Sequence, residues 1–227
     1  MTAPALLAPV LLGALIGLDV VSFPQIMISR PIVAATLAGA VAGDIAAGLL
    51  AGAVLELMAM ETLPVGASRY PEWGSAAVVA GTLAAVRAEP RSGALVVAVF
   101  AGIATAWAGG WSMYALRRLN GIWAERMQPA LAAGSWRAVV GLQLRGLTAD
   151  LVRAALLTLV ALVIWRPIDA WLLSRWSLDL VVSHSILVAI AAAAAASAIW
   201  RLGHGATGAR WYLLGGLAAG VVFAVLQ

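Results

Sequence analysis

The chain has no cysteine, no lysine and only two histidines, His184 and His204, among its 227 residues. Lack of cysteine excludes disulfides, thiolate zinc sites, iron–sulfur clusters and thiol nucleophiles, and two histidines leave little material for an imidazole metal site. Charge is scarce too: 11% of residues are charged, against roughly 25% in a soluble domain. The sequence has no G-x-x-x-x-G-K-[ST], no H-E-x-x-H and no G-x-S-x-G, so a nucleotide-driven pump, a zinc protease and a serine hydrolase all lack their signatures. Nor is there the arginine ladder of a voltage sensor. A chain this apolar has no separate basic domain for nucleic-acid binding, and none is expected.

What is present is hydrophobic: 63% of residues are apolar and 23 are glycine. Such a composition points to an all-α, polytopic chain solvated by lipid. A straight helix needs roughly 20 apolar residues to cross a hydrocarbon core of about 30 Å. Ser92 to Leu116, Leu147 to Trp165 and Val181 to Trp200 meet that length. Ala3 to Val21 is expected to make a further span, retained as a membrane segment rather than removed as a signal peptide. Trp211 to Leu226 is a short closing span.

The N-terminal third departs from this pattern. Pro31 to Gly43, Ile45 to Met60 and Gly74 to Val86 are each too short for a straight crossing, since 13 residues make a helix of only about 20 Å. Short apolar segments punctuated by Gly, Pro or a charge are the pattern of broken or re-entrant helical hairpins, tolerated at membrane depth only where they are buried in protein or line a cavity. The chain therefore divides into residues 1–86, expected to hold a polar site, and residues 87–227, a helical membrane region. Within the second part, five arginines between Arg117 and Gly146 face one acid, Glu125, and the excess of arginine places this segment in the cytoplasm. Trp123 and Trp136 lie among those arginines, with Gly121, Pro129 and Gly134 as breakers. The segment reads either as interfacial helices with tryptophans at headgroup depth or as a docking surface for soluble proteins.

Ten carboxylates are present, and Glu56 stands out because it lies inside an apolar run. Its helical neighbours Gly52, Ala53, Ala59 and Met60 cannot pair with it, so its partner comes from another segment, a substrate or water. Arg30, in Ser29-Arg30-Pro31, is the one cation that precedes Glu56 in the sequence and the natural pairing candidate. Asp44, in Gly43-Asp44-Ile45, fits a helix cap accepting from the amides of Ala46 or Ala47, or alternatively a ligand role. The stretch Glu61 to Gly74 gathers Glu61, Arg69, Tyr70, Glu72 and Trp73, a mixture of paired hydrogen-bonding groups and aromatic faces that suits a polyhydroxylated ligand or, equally, an interfacial aromatic belt. Asp150 and Arg153 read as an interfacial ion pair, and Glu89, Glu125, Asp169 and Asp179 as charge balance at span edges.

In order, Ser29-Arg30-Pro31, Gly43-Asp44, the glycine-rich run Gly48 to Glu56 and Val65-Gly66-Ala67 carry a resemblance. Together they resemble the membrane IIC subunit of the mannose/fructose/sorbose family of bacterial sugar phosphotransferase systems. The resemblance implies a sugar-translocating subunit of a transferase complex, working with a membrane IID partner and soluble IIA and IIB phosphocarriers that bear the phosphohistidines. It further implies a multi-pass chain in the bacterial cytoplasmic membrane, an oligomer and a hexose substrate, with no catalytic residue, cofactor or metal in this subunit. Glu56, Asp44 and Arg30 match the family's polar positions, and Gln25 to Ser29 are expected to contact sugar, with Glu61, Arg69 and Trp73 completing the candidate set. Ala53-Val54-Leu55-Glu56 stands here where Gly-Thr-Leu-Glu is commoner. The competing reading is a proton-coupled secondary transporter in which Glu56 or Asp44 cycles a proton.

Overall fold

The computed structural model describes residues 3–60, 69–86, 93–203, 205 and 207–225. Among them are eight α-helices: α1 (Ala3–Asp19), α2 (Pro31–Ala42), α3 (Ile45–Ala59), α4 (Trp73–Ala85), α5 (Ala94–Ala132), α6 (Trp136–Ser174), α7 (Leu180–Gly203) and α8 (Ala209–Val225). Three of them, within α5, α6 and α7, are long and apolar enough to cross a membrane, while α1 to α4 are shorter apolar helices. The chain is an all-helical, polytopic membrane protein.

The short helices begin and end where local chemistry dictates. Pro31 opens α2, where its missing N–H and fixed φ cost nothing. Gly43 closes it in the left-handed region (φ 103°), returning its N–H to the Gly39 carbonyl. The next residue, Asp44, starts α3 by accepting from the Ala47 amide at 3.0 Å. The α2–α3 hairpin thus turns on two residues, and its arms meet at backbone level: a Cβ on Gly39 would stand 2.8 Å from the Gly48 Cα.

α4 lies across α2 just as closely, with Gly81 against Ala35. The main buried cluster joins Ala34, Ala35, Ala38, Ala51, Leu55, Ala77, Val78 and Val99, a core dominated by small residues. Lipid supplies no hydrophobic drive for helices to associate, so close backbone approach and dispersion contacts do the work. On the other side of α4, α1 packs on α6 through Gly13 against Thr158 and Gly17 against Ala154.

α5 and α6 correct the expected organisation. Each runs unbroken for 39 residues, about 58 Å at 1.5 Å per residue, nearly twice the hydrocarbon thickness of about 30 Å. Segment 117–146 is therefore a two-helix arm continuing the membrane helices, not a set of separate interfacial helices. Of the three expected breakers only Gly134 interrupts the backbone (φ 73°), while Gly121 and Pro129 lie inside α5. Ser135 caps α6 through the Ala138 amide. Asn120 against Gly146 and Met127 against Arg145 zip the two halves of the arm together. Arg118, Arg126 and Arg137 remain exposed on it.

Candidate functional site

The end of α1 builds one wall of the site. Asp19 is 2% exposed, and its carboxylate accepts from the backbone amides of Ile26 at 2.7 Å and Ser29 at 2.9 Å. The loop it gathers holds two non-glycine residues at positive φ, Gln25 (60°) and Met27 (68°). Such a conformation persists only where its surroundings over-determine it, and Asp19 is the side chain that fixes it. The loop delivers Ser29 and Arg30 to the start of α2.

Arg30 then meets Glu56. The Arg30 guanidinium donates to Glu56 Oε1, while Glu56 Oε2 accepts from the Ile32 amide at 3.2 Å. The glutamate of α3 thereby both neutralises the arginine and sits at the positive end of α2. The pair is unequally covered, with the Arg30 side chain 44% exposed and that of Glu56 16%. The cation thus offers open hydrogen-bonding capacity at a fixed position.

The opposite wall is residues 69–73. Arg69 stacks over the Trp111 ring at 4.0 Å and lies 5.8 Å from that of Tyr114. Tyr70 is buried, its hydroxyl accepting from Arg117, whose guanidinium also lies 4.8 Å from its ring. The Glu72 amide donates to the Ala106 carbonyl at 2.8 Å. These three attachments bind the segment along α5, where Gly110 leaves room for the Tyr70 carbonyl. Glu72 then caps α4 through the Ser75 amide at 3.0 Å, so Trp73 emerges as the first residue of that helix.

Between the two walls is an open cleft of about 110 Å³, lined by Ser29, Arg30 and Pro31 on one side and Tyr70, Pro71 and Trp73 on the other. Ligand sites combine an aromatic lining with a few placed polar groups. A guanidinium, two aromatic faces and the loop carrying Ser29 fit the recognition of a small neutral molecule rich in hydroxyls.

Of the expected site residues, Arg30, Ser29 and Trp73 line this cleft, and Glu56 holds Arg30 in place. Asp44 is the cap of α3, twelve residues before Glu56 on that helix, about 18 Å along its axis. Gln25 is exposed and donates to the Val21 carbonyl at 2.7 Å. Arg69 is on the outer side of the Tyr70 wall, committed to its aromatic partners. Glu61 and Val65 to Ala67 lie outside the described residues. Two contributors were not singled out from sequence: Asp19, whose signal was an acid directly following an apolar run, and Tyr70, whose role depends on α5.

Asp150 and Arg153 form the expected ion pair at 2.8 Å, and it is enclosed by the protein: Asp150 is 1% exposed and the Arg153 side chain 8%, because α1, α4 and α5 close over them. Asp169 is similarly buried at 5%.

Comparison with known proteins shows the family and the fold. Residues 5–200 match the family described as PTS system sorbose-specific IIC component. A fructose permease IIC component of Bacillus subtilis (strain 168) is 29% identical over 144 residues, 63% of this chain and 52% of the relative, so the chain spans about half the length of that curated relative. Two solved structures share the fold, each at 20% identity over 100% of this chain and 95% of the other. One is a membrane protein (TM-score 0.71), the other the mannose transporter ManYZ in complex with microcin E492 (TM-score 0.61). With most of its length matched, this chain belongs to the sorbose-specific IIC component family of the phosphotransferase system, the mannose/fructose/sorbose type of membrane IIC subunit.

Proposed function

We propose that the chain binds a hexose in the cleft between Ser29–Arg30 and Tyr70–Trp73 and carries it across the bacterial cytoplasmic membrane for phosphorylation by soluble subunits. The observation that carries this reading is the Arg30–Glu56 pair at the edge of a cleft walled by aromatic rings. Charge-assisted hydrogen bonds from a fixed guanidinium discriminate among hydroxyl patterns, because an analogue lacking a hydroxyl leaves a polar group unmet. Pairing of Glu56 with a cation and a backbone amide favours this role over cycling a proton.

In this reading the chain is a IIC subunit working beside a membrane IID partner, with IIA and IIB relaying phosphate. The arm formed by α5 and α6 would then point into the cytoplasm, as its arginine excess requires, and offer those soluble proteins a basic surface. The short helices α2 and α3 would enter and leave from one face as a re-entrant hairpin. The chain is proposed to act within an oligomer.

Reconstitution with the membrane partner and the soluble phosphocarriers, followed by hexose uptake, tests the reading. Glu56→Gln keeps the shape but removes the charge that orients Arg30, and uptake affinity is expected to fall about tenfold or more. Unchanged uptake and affinity would remove Glu56 from the site.

A further inference from the structure

α6 contributes one carboxylate and one guanidinium that line no part of the cleft yet reach both of its walls. Arg153 Nε donates to Asp150 Oδ1 at 2.8 Å. The other oxygen, Asp150 Oδ2, accepts from the Ser22 hydroxyl, in the loop that carries Ser29 and Arg30. On its far side Arg153 Nη1 donates to Ser112 Oγ of α5 at 3.2 Å and stands 3.9 Å from Glu72 Oε2. Glu72 is fully buried, caps α4 with its other oxygen, and directly precedes Trp73. A single ion pair on α6 thus touches the loop that forms one wall and the residue launching the other.

Helix packing alone does not call for this network. A buried ion pair is often no better than well-packed apolar residues of similar volume, and Ser, Thr, Asn or Asp caps a helix without a long buried carboxylate. Nor is the joint saturated: Glu72 Oε2 and Arg153 Nη2 have no hydrogen-bond partner, although both are buried. At 3.9 Å, arginine and glutamate attract each other without locking. The Ser22 end is bonded directly and the Glu72 end is held electrostatically, so the spacing of the walls depends on where Arg153 sits.

We propose that Asp150 and Arg153 are positioning residues that set the separation of the two walls of the cleft and hence its affinity for sugar. This rests on the reading of the cleft as the sugar site. Arg153→Lys keeps the charge but loses the planar fork that serves Asp150 and Ser112 together. Ser22→Ala releases the loop from Asp150 without stranding a buried charge.

Each variant is to be assembled into the full reconstituted complex and compared with wild type for hexose KM, turnover at saturating hexose and thermal unfolding midpoint. Expected are a KM raised about fivefold for Ser22→Ala and about tenfold for Arg153→Lys, with saturating turnover within about twofold of wild type. Unchanged KM in both variants overturns the proposal, and so does lowered turnover with KM unchanged. If Arg153→Lys fails to assemble, Ser22→Ala alone decides. Glu56→Gln, measured alongside, separates the two levels: an altered KM there with normal KM in the network variants refutes positioning and spares the site, whereas normal KM in all three removes the site itself.

Discussion

Gly81 provides the sharpest test of how the site is held together. A Cβ placed there would stand 2.8 Å from the Ala35 Cα and nearer still to its carbonyl oxygen, so Gly81→Ala forces backbone against backbone. No side-chain rotation relieves such a contact; α4 must move away from α2. Overpacking costs about 1–3 kcal/mol, and a clash with backbone belongs at the upper end. Alanine recovers about 1 kcal/mol of helix propensity, leaving a net loss near 2 kcal/mol. For a chain of this size that lowers the thermal midpoint by about 4–8 °C. The control is Gly141→Ala in α6, where a new Cβ meets nothing within 4 Å. There only propensity acts, and the midpoint should rise by about 2–4 °C. Both proteins would be purified in one detergent and followed by tryptophan fluorescence on heating. If Gly81→Ala melts at or above wild type while Gly141→Ala behaves as described, α2 and α4 do not cross at backbone contact and the reasoning fails.

Asp44→Ala removes the cap of α3 and should cost about 1 kcal/mol, seen as a midpoint about 2–4 °C lower, with hexose KM unchanged; an altered KM would contradict its placement far from Arg30. Tyr70→Phe deletes the hydroxyl that receives the Arg117 hydrogen bond but keeps the ring, and should cost about 1.5 kcal/mol, or about 3–6 °C. An unchanged midpoint would show that the wall is not anchored through that bond. Because the chain has no cysteine, Gln128→Cys creates a single thiol on the arm. It should react with an impermeant maleimide in inside-out vesicles and not in intact cells, and the opposite result would reverse the assigned orientation.

Helices α2, α3 and α4 were legible because their ends are written in local chemistry. Pro31, Gly43-Asp44 and Glu72 act within one turn of the chain, and the expected limits fall within a residue or two of those observed. The arm was not legible for the complementary reason. Gly121 and Pro129 weaken a helix locally, yet the facing half of the arm, with Ala138 buried, supplies packing that outweighs them. Asp150 and Arg153 pair as a spacing of three along a helix allows, but their burial depends on Ser22, Glu72 and Ser112, none of which is near them in sequence. At the site, the pairing of Glu56 with Arg30 followed from the lack of partners on its own helix. Tyr70 could not be assigned a wall without knowing that α5 runs beside it.

Burial along the chain separates the machinery from its surroundings. In the most apolar stretches of α5, α6 and α7 the buried share falls from 61% to 28% to 17%, and α8 touches only α7 among the described residues. α5 is enclosed because the short helices pack on it through alanine and glycine, which let backbones approach and fix distances that long side chains would leave adjustable. The outward faces of α6 and α7, carrying Val152, Leu156, Val160, Val163, Val181 and Val188 at 49–73% exposure, suit contact with lipid tails or another membrane subunit. Rigidity is thus concentrated around the cleft, while adaptable apolar surface lies on the far side of α6.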